Sequence, residues 1–289
     1  YYKINALHLH LSDDQGWRIE IKSRPNLTIA SGNTEVGGGK GGFYTQEDYK
    51  TIVAYAAENY ITIIPEIDMP GHTNAASYAF IDDVIREISA ISPGPYFHIG
   101  GDESHVTKKK DYILFVKKVE QLVQKNGKIM IGWGEITQSD LDSTTIAQVW
   151  SSEENAIRAA KNGSKIILSL AKKMYLDMQY DSLSEHGLHW AGYVPVDSAY
   201  VWSPEHFIKD LPKENILGIE APLWSETISN MAEIEYLAFP RIIGYAELGW
   251  TNDENRDWEN YKVRLANQTP YLERMNVNYY PSELIDWKK

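Results

Sequence analysis

Two adjacent carboxylates, Asp102 and Glu103, follow an apolar run, Tyr96-Phe97-His98-Ile99, and two glycines, Gly100-Gly101. Carboxyl side chains in such a place can protonate a leaving oxygen, take a proton from water, or orient a polar group of a ligand. The apolar run reads as a strand, and the bare backbone of Gly100-Gly101 predicts close approach of a ligand. Carboxylates at the C-terminal end of a strand sit where a (β/α)8 barrel keeps its chemistry. Other runs end in the same way: Asp13-Asp14, Glu66 with Asp68 and His72, Trp133 with Glu135, Trp150, Tyr175 with Asp177, and Trp224 with Glu226. One such end is an ordinary solvated loop; their repetition predicts an acidic pocket with aromatic walls.

Trp and Tyr join a flat apolar face to a polar edge, which suits a sugar ring. Nine Trp and nineteen Tyr against six Phe tilt the chain that way, although core packing accounts for many of them. Carboxylates and stacking aromatics, with no phosphate-cradling loop, favour cleavage of a glycosidic bond. The usual scheme sets two carboxyl groups roughly 5–10 Å apart on either side of that bond. Sequence neighbours cannot easily flank a bond from opposite faces. A 2-acetamido sugar offers another route, because its own acetamido oxygen can attack the anomeric carbon. The protein then needs one acid for the leaving oxygen and one carboxylate for the amide N–H, and an adjacent Asp and Glu meet that need.

The net charge of −12 argues against nucleic-acid or anionic-membrane partners, since no basic stripe is present. The absence of cysteine removes disulfides, thiolate catalysis and cysteine-based zinc sites. No signal peptide or bilayer-length apolar run occurs, and the compartment stays open between a secreted and a cytoplasmic bacterial location. His72 with Glu66 and Asp68 superficially resembles a metal site, but HExxH spacing is absent, so neither metal nor cofactor is expected.

The elements that must position these groups alternate. Strand-like runs start at Ile4, Ile61, Tyr96, Lys128, Thr145, Lys165 and Ile216, and helical patterns cover Thr45 to Asn59, Ile81 to Ile91, Lys110 to Asn126, Glu153 to Asn162 and Ala232 to Leu248. Buried parallel strands read as continuous apolar runs, as these do. The expectation is one catalytic (β/α)8 barrel over residues 1–289, with its first strand and most of the first helix lying before Tyr1. His8 and His10 are expected to be hydrogen-bonded core residues, and Trp17, Trp250, Trp258 and Trp287 to be packing residues, with Trp202 undecided.

The chain resembles the catalytic domain of glycoside hydrolase family 20, the β-N-acetylhexosaminidases, over nearly its whole length. The resemblance rests on Leu9-His10-Leu11-Ser12-Asp13-Asp14-Gln15-Gly16-Trp17-Arg18, on Pro65-Glu66-Ile67-Asp68-Met69-Pro70-Gly71-His72, on His98 to Glu103, and on Trp224-Ser225-Glu226. It implies a retaining, substrate-assisted hydrolase of terminal β-linked N-acetylglucosamine or N-acetylgalactosamine. It makes Glu103 the general acid and then base, Asp102 the partner of the acetamido N–H, and Tyr175 the donor to the acetamido oxygen. Asp13 and His72 would form a pair beside Glu103 that tunes its proton affinity. Trp133, Trp150 and Trp224 would wall the pocket, with Trp190 a further contact, and Asp177 and Glu226 would hold the far hydroxyls. For these roles Glu103 should be protonated and Asp102 ionised at working pH. No residue corresponds to the family's first-strand arginine, and Gly71-His72 reaches the next helix near Phe80 almost at once, as if intervening residues were omitted. A lacto-N-biosidase or chitobiase-type relative and a non-catalytic carbohydrate-binding barrel remain as alternatives.

Overall fold

The computed structural model describes residues 2–71 and 78–288. All seven apolar runs are strands, Ala6–His10, Thr62–Glu66, Tyr96–His98, Ile129–Trp133, Ile146–Val149, Lys165–Leu168 and Ile216–Ile219, and they follow one another in chain order in one sheet. The first five pair in parallel, and helices separate most successive strands, which is the barrel-type α/β architecture expected. Among the described residues no eighth strand joins this sheet. None of the described helices is long and apolar enough to cross a membrane. The chain folds as two compact units, Ile4–Ile166 and Tyr1–Lys3 with Ile167–Lys289.

In the first of these, parallel register does the positioning. His10 pairs with Glu66, and Glu66 with His98, so three polar residues lie in one row across three strands. His8, two residues before His10, points to the same face. The apolar core lies beside that row. Helix Tyr78–Ile91 buries Ile81, Val84, Ile85 and Ile88, and helix Lys109–Lys125 buries Tyr112, Val116, Val119 and Val123, each at helical spacing. They pack with Phe97, Ile99, Met130 and Ile136, each fully buried Ile or Val contributing about 1.5–3 kcal/mol. Helix Gln46–Glu58 begins at a reciprocal cap in which the Thr45 side chain accepts from Asp48 N–H and Asp48 accepts from Thr45 N–H.

In the second unit one expectation fails. The pattern from Ala232 to Leu248 is two helices, Met231–Ala238 and Arg241–Trp250. Pro240 has no N–H to continue the first helix and drives Phe239 into an extended conformation. Trp250 also departs from its expected packing role: it is 61% exposed, with its N–H on Lys3 O at 2.8 Å. Trp17 and Trp202 are buried packing residues.

Candidate active site

The acid pair sits on unusual backbone. Gly100 and Gly101 follow the Tyr96–His98 strand at φ +69 and +98, and Glu103 itself is at φ +44. That left-handed conformation costs a non-glycine residue about 1–2 kcal/mol, and the surrounding contacts must hold it. The expectation that the glycines admit a ligand is not met at Gly100. A Cβ there would lie 1.7 Å from Asp68 Oδ1, and the Gly101 N–H donates to that same oxygen at 3.1 Å. The bare backbone makes room for a neighbouring carboxyl group. At Gly101 the limits are Ile136, 2.7 Å from a would-be Cβ, and Tyr112, whose hydroxyl donates to Gly101 O at 2.5 Å.

Below the pair lies a buried network centred on Glu66. His10 Nδ1 is 2.7 Å and His8 Nε2 3.1 Å from Glu66 Oε2; Trp133 Nε1 donates to Oε1 at 3.0 Å, and His98 Nδ1 is also 3.0 Å from Oε1. The Gly100 N–H points at His98 Nδ1 at 3.0 Å. One proton cannot serve both contacts of that nitrogen, and the charge-assisted bond to the carboxylate is the stronger. Burial opposes the charge on Glu66, yet His98, His10 and His8 outweigh it and hold the carboxyl well below its usual range. Burial would lower His10, but Glu66 and the hydrogen bond to Asp13 carry it well above an ordinary histidine. Thus His8 and His10 are hydrogen-bonded residues of the interior, as expected, and they hold Glu66 ionised.

Asp13 belongs to the short ribbon Ser12–Asp13 and Gly16–Trp17. Its Oδ2 accepts from His10 Nε2 at 2.9 Å, and its Oδ1 from the Asp14 N–H at 2.6 Å. His72, its expected partner, lies outside the described residues. Asp68 is pushed well above the usual carboxylate range by burial and then by Asp102 and Glu66. In such a crowd of carboxyls one must keep a proton, and Asp68 is placed to do so. The sequence placed it among the strand-end carboxylates of the expected pocket but gave it no role there.

On another side of the pair is Glu135, in the single turn Gly134–Gln138 that follows the Ile129–Trp133 strand. Its Oε1 accepts from Trp150 Nε1 at 3.1 Å. Burial first, then the charges of Asp102 and Glu103, push it up to about 7. Glu103, His105, Lys109, Tyr112 and Glu135 line one cavity of about 190 Å³. Trp133 is only 2% exposed, its ring edge-on to His98 with centroids 5.4 Å apart.

The second unit gathers the remaining predicted residues. The Tyr175 ring lies 5.9 Å from Trp190, edge-on, and 6.3 Å from Trp224. Asp177 accepts from the Trp224 N–H at 3.5 Å and is pushed up to about 7, chiefly by burial and in part by the charge of Glu226, which is itself exposed. A guanidinium secures this stretch. Arg241, 1% exposed, donates from Nη1 to Met178 O and Val194 O at 2.8 and 3.1 Å, and from Nη2 to Leu176 O and Leu237 O at 2.6 and 2.7 Å. Its planar head also stacks on Tyr180, 3.8 Å from the ring centroid.

Among the described residues, His8, Glu66 and His98 have ligand atoms within 4.8 Å of one another, a spacing a metal ion could use. The carboxylate oxygens already receive Trp133 and His10, so the cluster reads as a hydrogen-bond network. The first unit offers the Asp102–Glu103 pair, a buried ionised carboxylate in Glu66, and two groups, Asp68 and Glu135, able to hold protons near neutrality; the second offers Tyr175, Trp190 and Trp224 clustered together and a raised Asp177. That set suits acid–base chemistry on an uncharged, ring-shaped substrate.

Known proteins resemble this chain in sequence and fold. Residues 1–79 and 105–253 match the family model described as glycosyl hydrolase family 20, catalytic domain. The acid pair falls between the two matched stretches, within the span covered by whole-chain relatives. The chain is 36% identical to a beta-N-acetylhexosaminidase of Cellulomonas fimi, covering 99% of this chain and 65% of that protein. It is 34% identical to a beta-hexosaminidase of Porphyromonas gingivalis, covering 96% of this chain and 43% of that one. Among solved structures, a mutant Streptomyces plicatus beta-hexosaminidase in complex with product (GlcNAc) superposes with a TM-score of 0.95 at 43% identity, over 99% of this chain and 66% of the other. The chain therefore spans less than two thirds of the length of the curated relatives named here.

Proposed function

The chain belongs to glycosyl hydrolase family 20, and from that premise we propose that it is an exo-acting β-N-acetylhexosaminidase that uses its substrate's own acetamido group as nucleophile. The observation that carries this reading is the placement of Asp102 and Glu103 as neighbours at one strand end, on backbone that turns left-handed at Glu103. One group can then face the leaving oxygen while its neighbour faces the acetamido arm of the same sugar. The GlcNAc held by the Streptomyces plicatus relative supports a terminal N-acetylhexosamine as substrate.

In this reading Glu103 gives its proton to the leaving oxygen as the acetamido oxygen closes on the anomeric carbon. The proton acceptor so formed then activates water, which opens the ring with net retention. Asp102 accepts the acetamido N–H and steadies the positive charge that grows there; Tyr175 donates to the acetamido oxygen. Asp13 and His72 support Glu103. Trp133, Trp150, Trp190 and Trp224 shape the apolar walls, and Asp177 and Glu226 take the remote hydroxyls. No step calls on a metal or cofactor.

The test is release of p-nitrophenol from its N-acetyl-β-glucosaminide, with the first-formed sugar anomer read by NMR. Turnover with the β anomer appearing first, and a thiazoline mimic binding on the order of 10²-fold tighter than N-acetylglucosamine or better, is the expected result. Trapping a glycosyl ester on a protein carboxyl group would overturn the mechanism. Sugar binding without turnover would leave a carbohydrate-binding barrel in its place.

A further inference from the structure

Glu135 has no role in the reading above, yet its surroundings are built. It sits in a turn held by Thr137 Oγ1, which donates to Gly134 O at 2.7 Å, and by the Ser139 N–H, which donates to Ile136 O at 2.9 Å. Ile136 is fully buried against the Gly101 and Gly132 backbone, so the turn cannot drift. One carboxyl oxygen receives the Trp150 indole N–H; the other is buried and meets no donor among the described residues. Glu103 borders the same cavity.

We propose that Glu135 is a positioning residue of this site: a buried carboxylic acid that fixes the Trp150 indole and, by staying neutral, keeps a further negative charge away from Asp102 and Glu103. The inference rests on the proposed hexosaminidase reading for the use made of Trp150.

Each neighbouring element contributes to that state. The loop after the Tyr96–His98 strand brings Asp102 and Glu103, both of which disfavour an ionised Glu135. Helix Lys109–Lys125 brings the Tyr112 hydroxyl, and Lys109 with His105 lies along the cavity wall. Helix Glu153–Lys161 faces the turn with neutral Asn155, packed on Gly134. The segment after the Ile146–Val149 strand supplies Trp150, whose N–H is bound to Glu135. Among the described residues Glu135 has no ion pair, in contrast to Glu66 with its histidines. A carboxyl group in that setting holds its proton to about pH 7. Above that pH it gains a charge beside two others, and the site should lose affinity or turnover.

Two variants separate the two halves of the role. Glu135→Gln keeps an acceptor for the indole and cannot ionise; Glu135→Ala removes both. In carboxyl ¹³C NMR of the full chain, a resonance titrating near pH 7 should be present in the wild type and missing from Glu135→Gln. N-acetylglucosamine binding, followed by tryptophan fluorescence, should weaken about tenfold in Glu135→Ala, the effect of losing one buried hydrogen bond, and recover in Glu135→Gln. In kinetics the change should fall on KM more than on kcat at pH 6, and the wild-type decline above pH 7 should flatten in Glu135→Gln. A Glu135 resonance titrating in the ordinary carboxylate range, or unchanged sugar affinity in Glu135→Ala, overturns the proposal. Absence of turnover by the wild type, with the NMR and binding results as expected, rejects the hydrolase reading and leaves the role of Glu135 standing.

Discussion

Two glutamates lie buried near the acid pair and stand in opposite states. Glu66 is wholly buried, yet three histidines and the Trp133 indole surround it, and its carboxyl is held well below the usual range. Glu135 is less deeply buried, yet it meets only neutral donors, its own backbone N–H and the Trp150 indole, beside two like charges, and is pushed up to about 7. Burial disfavours charge at both positions; the donors within reach decide the outcome. Asp102 registers in both surroundings, since it raises Asp68 on the Glu66 side and Glu135 on the other. The acid pair is thus set between a carboxyl whose charge is favoured and others whose protons are held to higher pH than usual. This division limits the negative charge in the site while keeping its geometry crowded.

The comparison is most sharply tested at the pair itself. Glu103→Gln should lower kcat by about 10²–10⁴-fold, the range for loss of a general acid, with binding of N-acetylglucosamine kept. Wild-type turnover in that variant would remove the pair from the chemistry. Next comes Glu66→Gln, which leaves cationic His10 with Asp13 as its remaining carboxylate partner. Loss of one partner of a buried ion pair costs about 3–5 kcal/mol, measurable by urea denaturation near pH 6. The contribution of Glu66 is present above its unfolded value and fades as pH falls through its lower folded value. The contribution of His10 is fully present below its unfolded value and fades as pH rises through its higher folded one. A Glu66→Gln protein as stable as wild type would mean that the network is not charged as described.

Glu135 should do the reverse. Its folded value lies above its ordinary 4.5, so the unfolded chain releases the proton first and stability falls as pH rises from about 4.5 to about 7. The loss attributable to Glu135 is on the order of 3 kcal/mol, and Glu135→Gln should flatten that part of the stability–pH curve. An identical slope in the variant would show that Glu135 titrates normally. Smallest is the background against which the others are read. Gly37→Ala, at φ +81 with nothing within 4 Å of a Cβ, should cost about 1–2 kcal/mol for backbone conformation alone. Gly100→Ala, facing Asp68, should exceed it clearly in the same denaturation assay.

The strands were legible because buried parallel strands must be apolar throughout, and each expected run matches one to within two residues. The helix from Ala232 to Leu248 was misread because its apolar spacing continues through Pro240, where local chemistry ends the helix regardless of the pattern. The Gly100-Gly101 reading correctly saw that something comes close, but only the fold shows that it is Asp68, a residue more than thirty positions away. Glu135 was named among the strand-end carboxylates but given no role, for a similar reason. Its partner is Trp150, fifteen residues later, and the pairing arises from a strand, a turn and a second strand. His8 and His10 were placed correctly in the interior because alternation along a strand is visible in sequence; the Glu66 that binds both required the register.

Arg241 carries a practical consequence for anyone who wishes to alter what this protein recognises. Met178 O and Val194 O, at the two ends of the stretch that bears Trp190, are tied to the same guanidinium nitrogen. The entropy of closing that stretch is therefore met at its base, and it grows only slowly with added length. Leu188 ties the middle of the stretch back as well, its N–H on Asp177 O and its carbonyl receiving the Gln179 N–H, so recognition is to be altered through single side chains such as Trp190, with the arginine and the Tyr180 face beneath it kept.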